Sequence, residues 1–442
     1  MWWFTITMFI VQQISNVVNA IGGLWLVPKY VPQEELGAVL PLANIGGMLG
    51  LPLGLISIPL LKFMNRFIQD GAFGKAKSLL RDTLLFAAGL LFLLFVISPV
   101  IMPAVFDRLR VEKGLLGILI VISGVIATLS PIFHTTLQAL KGFNALTWLG
   151  FELAIVRFAT MAVCLPIRGL SGYFAGQIAS IIAFIMHSVW IIRNKLISNV
   201  HCEPYLHENW PKIVRYSTWP IIYSLFTTFA NTVTSVVIRR CLPDVESAGY
   251  YMISRFAEIA MSVGLVCATI LFPLAAEEKT STNGRSPLLI QSMLFPMACG
   301  IAFTCINAPV VRLLFTWVAD WQIYLPYIPH LVALGLLHSI AGSIYCYYTF
   351  QCAKGHFKSI PILAAFWGVL GVFLYCLTGY SFFTPWLPTS WLETLATWNP
   401  NRLSVVIGIS ILFYLGMFIY ALTDALRRPN AQKPGTTPAQ SA

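Results

Sequence analysis

The chain has 442 residues, of which 57% are apolar, 13% aromatic and only 10% charged, and its mean hydropathy is +0.77. A soluble domain carries about 25% charged residues, so a water-soluble fold of this length is excluded and the solvent is lipid. The net charge of +11 is no sign of nucleic-acid binding, because the basic residues lie in short loops between apolar runs.

Those runs are about 20 residues long and recur to the end of the chain. They predict an all-α polytopic membrane protein with about twelve transmembrane helices, at 6–27, 36–60, 83–105, 115–139, 146–165, 170–192, 214–238, 247–275, 288–315, 325–352, 360–381 and 403–425. The first run has no basic segment before it and no small-residue cleavage site, so it reads as a span and not as a cleaved signal. Pro and Gly near 51–60 and 267–275 predict bends there. The nine cysteines are scattered, with no C-x-x-C pair, which suggests neither a metal site nor a disulfide framework. No cofactor is expected. The tail 429–442 is rich in Pro, Gln, Thr, Ala and Ser and reads as disordered.

With the N-terminus placed in the cytoplasm, lysine and arginine favour the inner loops by about two to one. That predicts a protein of the cytoplasmic (inner) membrane with both ends inside. The basic loop Lys62–Arg81 serves as topology signal and as a contact for anionic membrane lipids.

The chain repeats itself. Thr136 to Phe143 closes the fourth span and Thr349 to His356 closes the tenth, 213 residues on, with Gln138 and Lys141 echoed by Gln351 and Lys354. The openings of spans two and eight (Glu35-Leu-Gly37, Ser247-Ala-Gly249) and their ends (Ile58-Pro59-Leu60, Phe272-Pro273-Leu274) agree within a few residues, as do Pro99 and Pro309. Six spans per half keep both halves in one orientation, so the repeats are parallel, with a substrate path between them. The predicted lobes are 1–200 and 201–428.

Three stretches resemble the polysaccharide flippases of the MOP (multidrug/oligosaccharidyl-lipid/polysaccharide) superfamily, the Wzx-type O-antigen transporters. They are Tyr30 to Gly37 with the span and basic loop that follow; Leu137 to Gly142, span five and Gly169 to Tyr173; and Tyr216 to Pro220, then Glu246 to Tyr250, ending at Phe272 to Glu277. The resemblance covers nearly the whole chain. It implies a MATE-like, V-shaped pair of six-helix lobes that turns a polyprenyl-pyrophosphate-linked oligosaccharide, a unit for lipopolysaccharide or exopolysaccharide biosynthesis, across the membrane. A polysaccharide polymerase or glycosyltransferases are the implied protein partners. There is no G-x-x-x-x-G-K-[ST] nucleotide site, so the chain is not read as an ATPase. Drug exporters of the superfamily place a carboxylate in an early helix, whereas spans one and two have none; Glu34 and Glu35 lie at the outer mouth.

An ionisable group inside a span is costly, and so becomes a functional candidate. Arg157 in span five suits a pyrophosphate; Glu152 is five residues away, about 140° around the helix, and shares its face poorly. Arg255 and Glu258 in span eight stand at i, i+3 and can pair. Arg255 corresponds roughly to Asn44 of the first half. Gln12, Asn16 and Asn19 form one polar face of span one, facing either a cavity or another helix, and Asn231 is the comparable residue of span seven. A cationic, water-filled cavity centred on Arg157 and Arg255 is the expectation, with Gln138, Lys141, Gln351 and Lys354 at the cytoplasmic gate. His134, His187, His330 and His338 each stand alone and read as packing residues.

Three other functions are weighed, one of them a transporter-like chain that serves as a scaffold. A drug or metabolite exporter of the same fold needs a buried, titrating carboxylate, for which Glu152 and Glu258 are the candidates. A membrane enzyme needs paired acids in a sizeable loop, and the longest outer loop, 382–402, has only Glu393.

Overall fold

The computed structural model describes residues 2–54, 57–109, 115–197, 202, 206–277, 286–376 and 402–427. The end of span eleven beyond Cys376, the loop 382–402 with Glu393 and the tail 429–442 lie outside the described residues. Everything regular within them is helix, as lipid requires: a helix satisfies its own backbone polar groups, and nothing in the hydrocarbon would do so instead.

Among the described residues, ten helices are long and apolar enough to cross a membrane, against about twelve expected; the second and eleventh predicted spans include residues outside those described. α1 (Trp2–Ile21) runs on through a π-helical turn, Gly22–Leu26, to Val27–Tyr30. The second segment is α2 (Val39–Gly54) and α3 (Ser57–Gln69). α3 runs beyond the predicted end at 60 because it is amphipathic: Leu60, Leu61, Met64 and Phe67 face inward, while Arg66 faces out to Asp70 at 3.6 Å. The third is α4 (Phe73–Leu109), ten residues longer at its start than the apolar run, since charged residues do not stop a helix once they can point outward. The fourth is broken at Pro131 into α5 (Leu115–Ala127) and α6 (Ser130–Ala139). α7 (Phe143–Arg168) and α8 (Leu170–Ile192) complete the first half.

The second half repeats this with α9 (Leu206–Cys241), α10 (Asp244–Glu277), α11 (Pro287–Trp317), a 3₁₀ stretch Ala319–Tyr327, α12 (Ile328–Lys354), α13 (Ile360–Cys376) and α14 (Arg402–Arg427). α10 continues as one helix through Pro273.

The repeated motifs turn out to be helix stops. Gly142 N–H bonds Leu137 C=O and His356 N–H bonds Gln351 C=O, five residues back in each case, with Lys141 (φ 52°) and Gly355 (φ 73°) in the left-handed region. Each half also crosses its second and fourth segments glycine on glycine. A Cβ on Gly124 would stand 2.6 Å from Gly46 O, and one on Gly264 2.4 Å from Gly342 Cα. Small residues at such crossings let backbones approach in a medium that gives no hydrophobic drive to packing.

The halves meet through α1 against α10 and α2 against α9. α4 is peripheral, with Phe92 and Val100 72% and 79% exposed, as befits a lipid-facing helix.

Candidate functional site: a polar cavity between the halves

A cavity of about 720 Å³ lies between α2, α5 and α6 of the first half and α9, α10, α12, α13 and α14 of the second. That is within the range of ligand sites, about 300–1,000 Å³. α9 contributes a stripe at helical spacing: Ser224, Thr227 and Thr228, Asn231, then Thr234 and Ser235. Opposite stand Tyr250, Ser254 and Glu258 of α10, His338 and Tyr345 of α12, and Ser410 and Tyr414 of α14. Tyr223 and Tyr348 stack at 4.0 Å and form a buried wall with Trp367. Asn44 crosses from α2 to bond Ser235 Oγ at 3.0 Å.

Contacts between the halves occur at both ends of the bundle. At one, Arg239 of α9, 8% exposed, bonds Asp244 at 2.5 Å and the Glu34 carbonyl at 2.8 Å. Ser247 meets Gly37 there, and Tyr251 OH donates to Gly23 O at 3.0 Å. At the other, Lys62 of α3 lies 4.0 Å over the ring of Tyr216, which packs edge-on to Phe63 and Phe357 and donates to the Cys352 carbonyl of α12. Burial lowers the Lys62 ammonium below its ordinary value. Gln138 of α6 donates to the Thr269 carbonyl of α10 at the same end.

The expected cationic centre does not match this lining. Among the described residues no lysine or arginine lines the cavity. Arg157 is held among α7, α8 and α10, within electrostatic reach of Tyr173 and Arg255, and its Nε is buried without a partner. Arg255 bonds Glu258 at 2.9 Å, stacks over Tyr251 and reaches Tyr173 OH of the first half at 3.5 Å. Tyr173 in turn accepts from Gln177, which accepts from Ser123. The arginines therefore sit in a polar seam beside the cavity, and Glu258 is the member that faces into it.

Other candidates fall elsewhere for equally local reasons. Gln12, Asn16 and Asn19 are off the large cavity. Gln12 bonds Asn16, Asn16 bonds Gln13, and Gln13 reaches Ser262 of α10 at 3.1 Å. Asn19 Oδ1 is buried without a partner. Gln12 and His134 line a second, smaller cavity of about 160 Å³ between α1, α6, α7 and α10. Glu152 pairs with His187 of α8 at 2.6 Å, on an outer face flanked by the exposed Trp148 and Trp190, so neither is alone and neither lines the large cavity. Of the remaining histidines, His330 bonds Ser404 at 2.8 Å and His338 lines the cavity. Asn44 and Asn231 do line it. Gln351 is fully buried, Lys141 is exposed at the end of α6, and Lys354 lies over Phe350.

The tyrosines of the wall and the hydroxyl stripe of α9 went unseen in the sequence. The signal was the i, i+3/i+4, i+7 spacing of Ser224, Thr227, Asn231 and Thr234. It is faint because such hydroxyls satisfy themselves on their own helix, as Thr227 and Thr234 do on Tyr223 and Ala230 carbonyls.

Residues 75–278 match the model of the polysaccharide biosynthesis protein family. No curated protein matches the sequence. Among solved structures, an inward-facing multidrug resistance MATE transporter of the MOP superfamily is similar over 96% of this chain and 98% of its own, at TM-score 0.63 and 14% identity. The outward-facing form of such a transporter is similar over 97% and 96%, at TM-score 0.64 and 14% identity. A mutant Vibrio cholerae MATE transporter is similar over 96% and 94%, at TM-score 0.61 and 12% identity.

The chain thus has helices long and apolar enough to cross a membrane many times and the fold of MATE transporters, and residues 75–278 are similar to polysaccharide biosynthesis proteins, in agreement with the resemblance read from its motifs.

Proposed function

We propose that this transporter is a flippase: it turns a polyprenyl-pyrophosphate-linked oligosaccharide from the cytoplasmic to the outer leaflet of the inner membrane by alternating access. The observation that carries this reading is the interhalf cavity, lined by hydroxyls, amides and tyrosines and bracketed by contacts between the halves. Its lining suits a glycan, which offers a hydroxyl on nearly every carbon. The polyprenyl chain, which needs no polar partner, would stay in lipid. The diphosphate would meet Arg157 and Arg255 in the seam beside the cavity; the Arg157 Nε, buried without a partner, supports this. The match of 75–278 to polysaccharide biosynthesis proteins agrees with such a cargo.

On this reading the Lys62 end is cytoplasmic, both chain termini are inside, and the two six-helix halves rock as lobes about 1–200 and 201–428. The Lys62–Arg81 loop faces anionic lipid and is the surface where a glycosyltransferase or polymerase would dock.

The second reading is a drug or metabolite exporter, favoured by one observation: the carboxylate of Glu258 among aromatic rings attracts an organic cation. Reconstitution of the purified chain with labelled polyprenyl-pyrophosphate sugars and, separately, with organic cations decides between them. Sugar-lipid translocation that falls at least about tenfold in Arg157→Ala is expected. Cation uptake with no sugar-lipid movement overturns the flippase.

A further inference from the structure

Resting on that reading, we infer that the cavity selects an uncharged or amino-bearing glycan, and that Glu258 is the residue that turns acidic sugars away.

The argument is an account of free hydrogen-bonding valences. Thr227, Thr234, Ser254 and Ser410 each donate their hydroxyl proton to a carbonyl of their own helix, at 2.7–2.9 Å. What they present to the cavity is oxygen lone pairs. Asn44 spends one amide N–H on Ser235, which leaves its carbonyl oxygen and one further N–H. Glu258 binds Arg255 through Oε2, and its side chain is 41% exposed. The guanidinium points away, to Tyr173 of the first half and to the ring of Tyr251. The ion pair is therefore a dipole with its negative end in the cavity. Asn231 and the tyrosine hydroxyls add donors to this wall, but among the described residues no lysine or arginine lines it, so the one charged group it presents to the cavity is the Glu258 carboxylate.

Such a wall matches a ligand that brings donors. Each sugar hydroxyl brings one and an ammonium brings three, whereas a uronate or other sugar carboxylate brings acceptors and a like charge. In a low-dielectric site, like charges at cavity distances repel strongly. The glycan's apolar ring faces would rest on Tyr250 and Tyr345, which open onto the cavity. The diphosphate is excluded by the same rule and stays in the arginine seam.

The test uses the purified full chain in proteoliposomes with two probes. One is polyprenyl-pyrophosphate carrying a neutral disaccharide; the other is the same lipid with the terminal sugar oxidised to a uronic acid. Translocation is read as exposure to a membrane-impermeant glycan-binding protein that accepts both. The neutral lipid is expected to move at least about tenfold faster, and Glu258→Gln is expected to narrow that ratio several-fold. Equal rates in the parent protein, or a faster acidic lipid, overturn the inference while leaving the flippase intact. If neither lipid moves, the flippase reading itself falls and the inference falls with it. The parent comparison needs no variant, so it stands even if Glu258→Gln does not fold.

Discussion

Asn44 of α2 donates to Ser235 Oγ of α9 at 3.0 Å, so one hydrogen bond ties the two halves along the wall of the cavity. Ser235 donates onward to Thr232 O at 2.8 Å. A bond of this kind is worth about 1 kcal/mol. Asn44→Ala and Ser235→Ala should each lower stability by about that amount, and the double variant should cost clearly less than the sum of the two. Thermal melts of the detergent-purified proteins, analysed as a double-mutant cycle, check this. Strict additivity would show that the bond does not join the halves.

Gly37 has no room for a side chain. A Cβ there would stand 2.3 Å from Ser247 Oγ and 2.8 Å from Ser247 Cβ. Gly37→Ala should prop the halves apart at that end and depress transport, and adding Ser247→Gly should restore it. The check is translocation by the single and double variants, with reactivity of a reporter cysteine in the seam as a second measure. A double variant as impaired as Gly37→Ala would show that the clash is not the cause.

Lys62 makes a pH prediction. Its ammonium is desolvated between Tyr216 and the end of α12, so its pKa in the folded state lies below the unfolded value of 10.5. The unfolded state then binds more protons in the window between the lowered pKa and 10.5, and stability from this residue rises as pH climbs through that window. Below it, the charged amine carries its full desolvation cost. Lys62→Met should remove this component: the difference in melting temperature, variant minus parent, should shrink between pH 8 and 10.5. A difference that does not change with pH would show that Lys62 is as solvated in the fold as outside it.

Glu152 and Glu258 should behave differently although both are acids within helices. Glu152 and its partner His187 are about one-third exposed on an outer face, and an exposed pair of this kind contributes about 1 kcal/mol or less. Glu152→Gln should therefore leave translocation within about twofold of the parent. A proteoliposome assay that loses activity on this substitution would move the site to the outer face of α7 and α8.

The architecture was legible in the sequence to a greater depth than the site. Lipid leaves only one way to satisfy a spanning backbone, so hydropathy alone placed twelve segments, and the repeat paired them. Boundaries differ where charge misleads: α3 and α4 include Arg66 and Arg81 because those side chains reach outward while the backbone stays helical. The site was harder. Arg157 and Arg255 drew attention because buried charge is rare. Yet the direction of a side chain on a buried helix depends on which neighbours surround it, and here α8 and α10 enclose them. The cavity's own signature, hydroxyls one helical turn apart on α9, is chemically mild and common in packed membrane helices. Only Asn231 stood out from it, because an amide cannot satisfy itself as a hydroxyl can.

The contacts at the two ends of the bundle are few and comparable in kind: Arg239 with the Glu34 carbonyl and Tyr251 with Gly23 at one, Lys62 with Tyr216 and Gln138 with Thr269 at the other. Each is worth on the order of 1–3 kcal/mol. On the proposed alternating access, opening at either face breaks contacts of the same kind, so removing one contact should shift the resting population toward opening at the end that lost it.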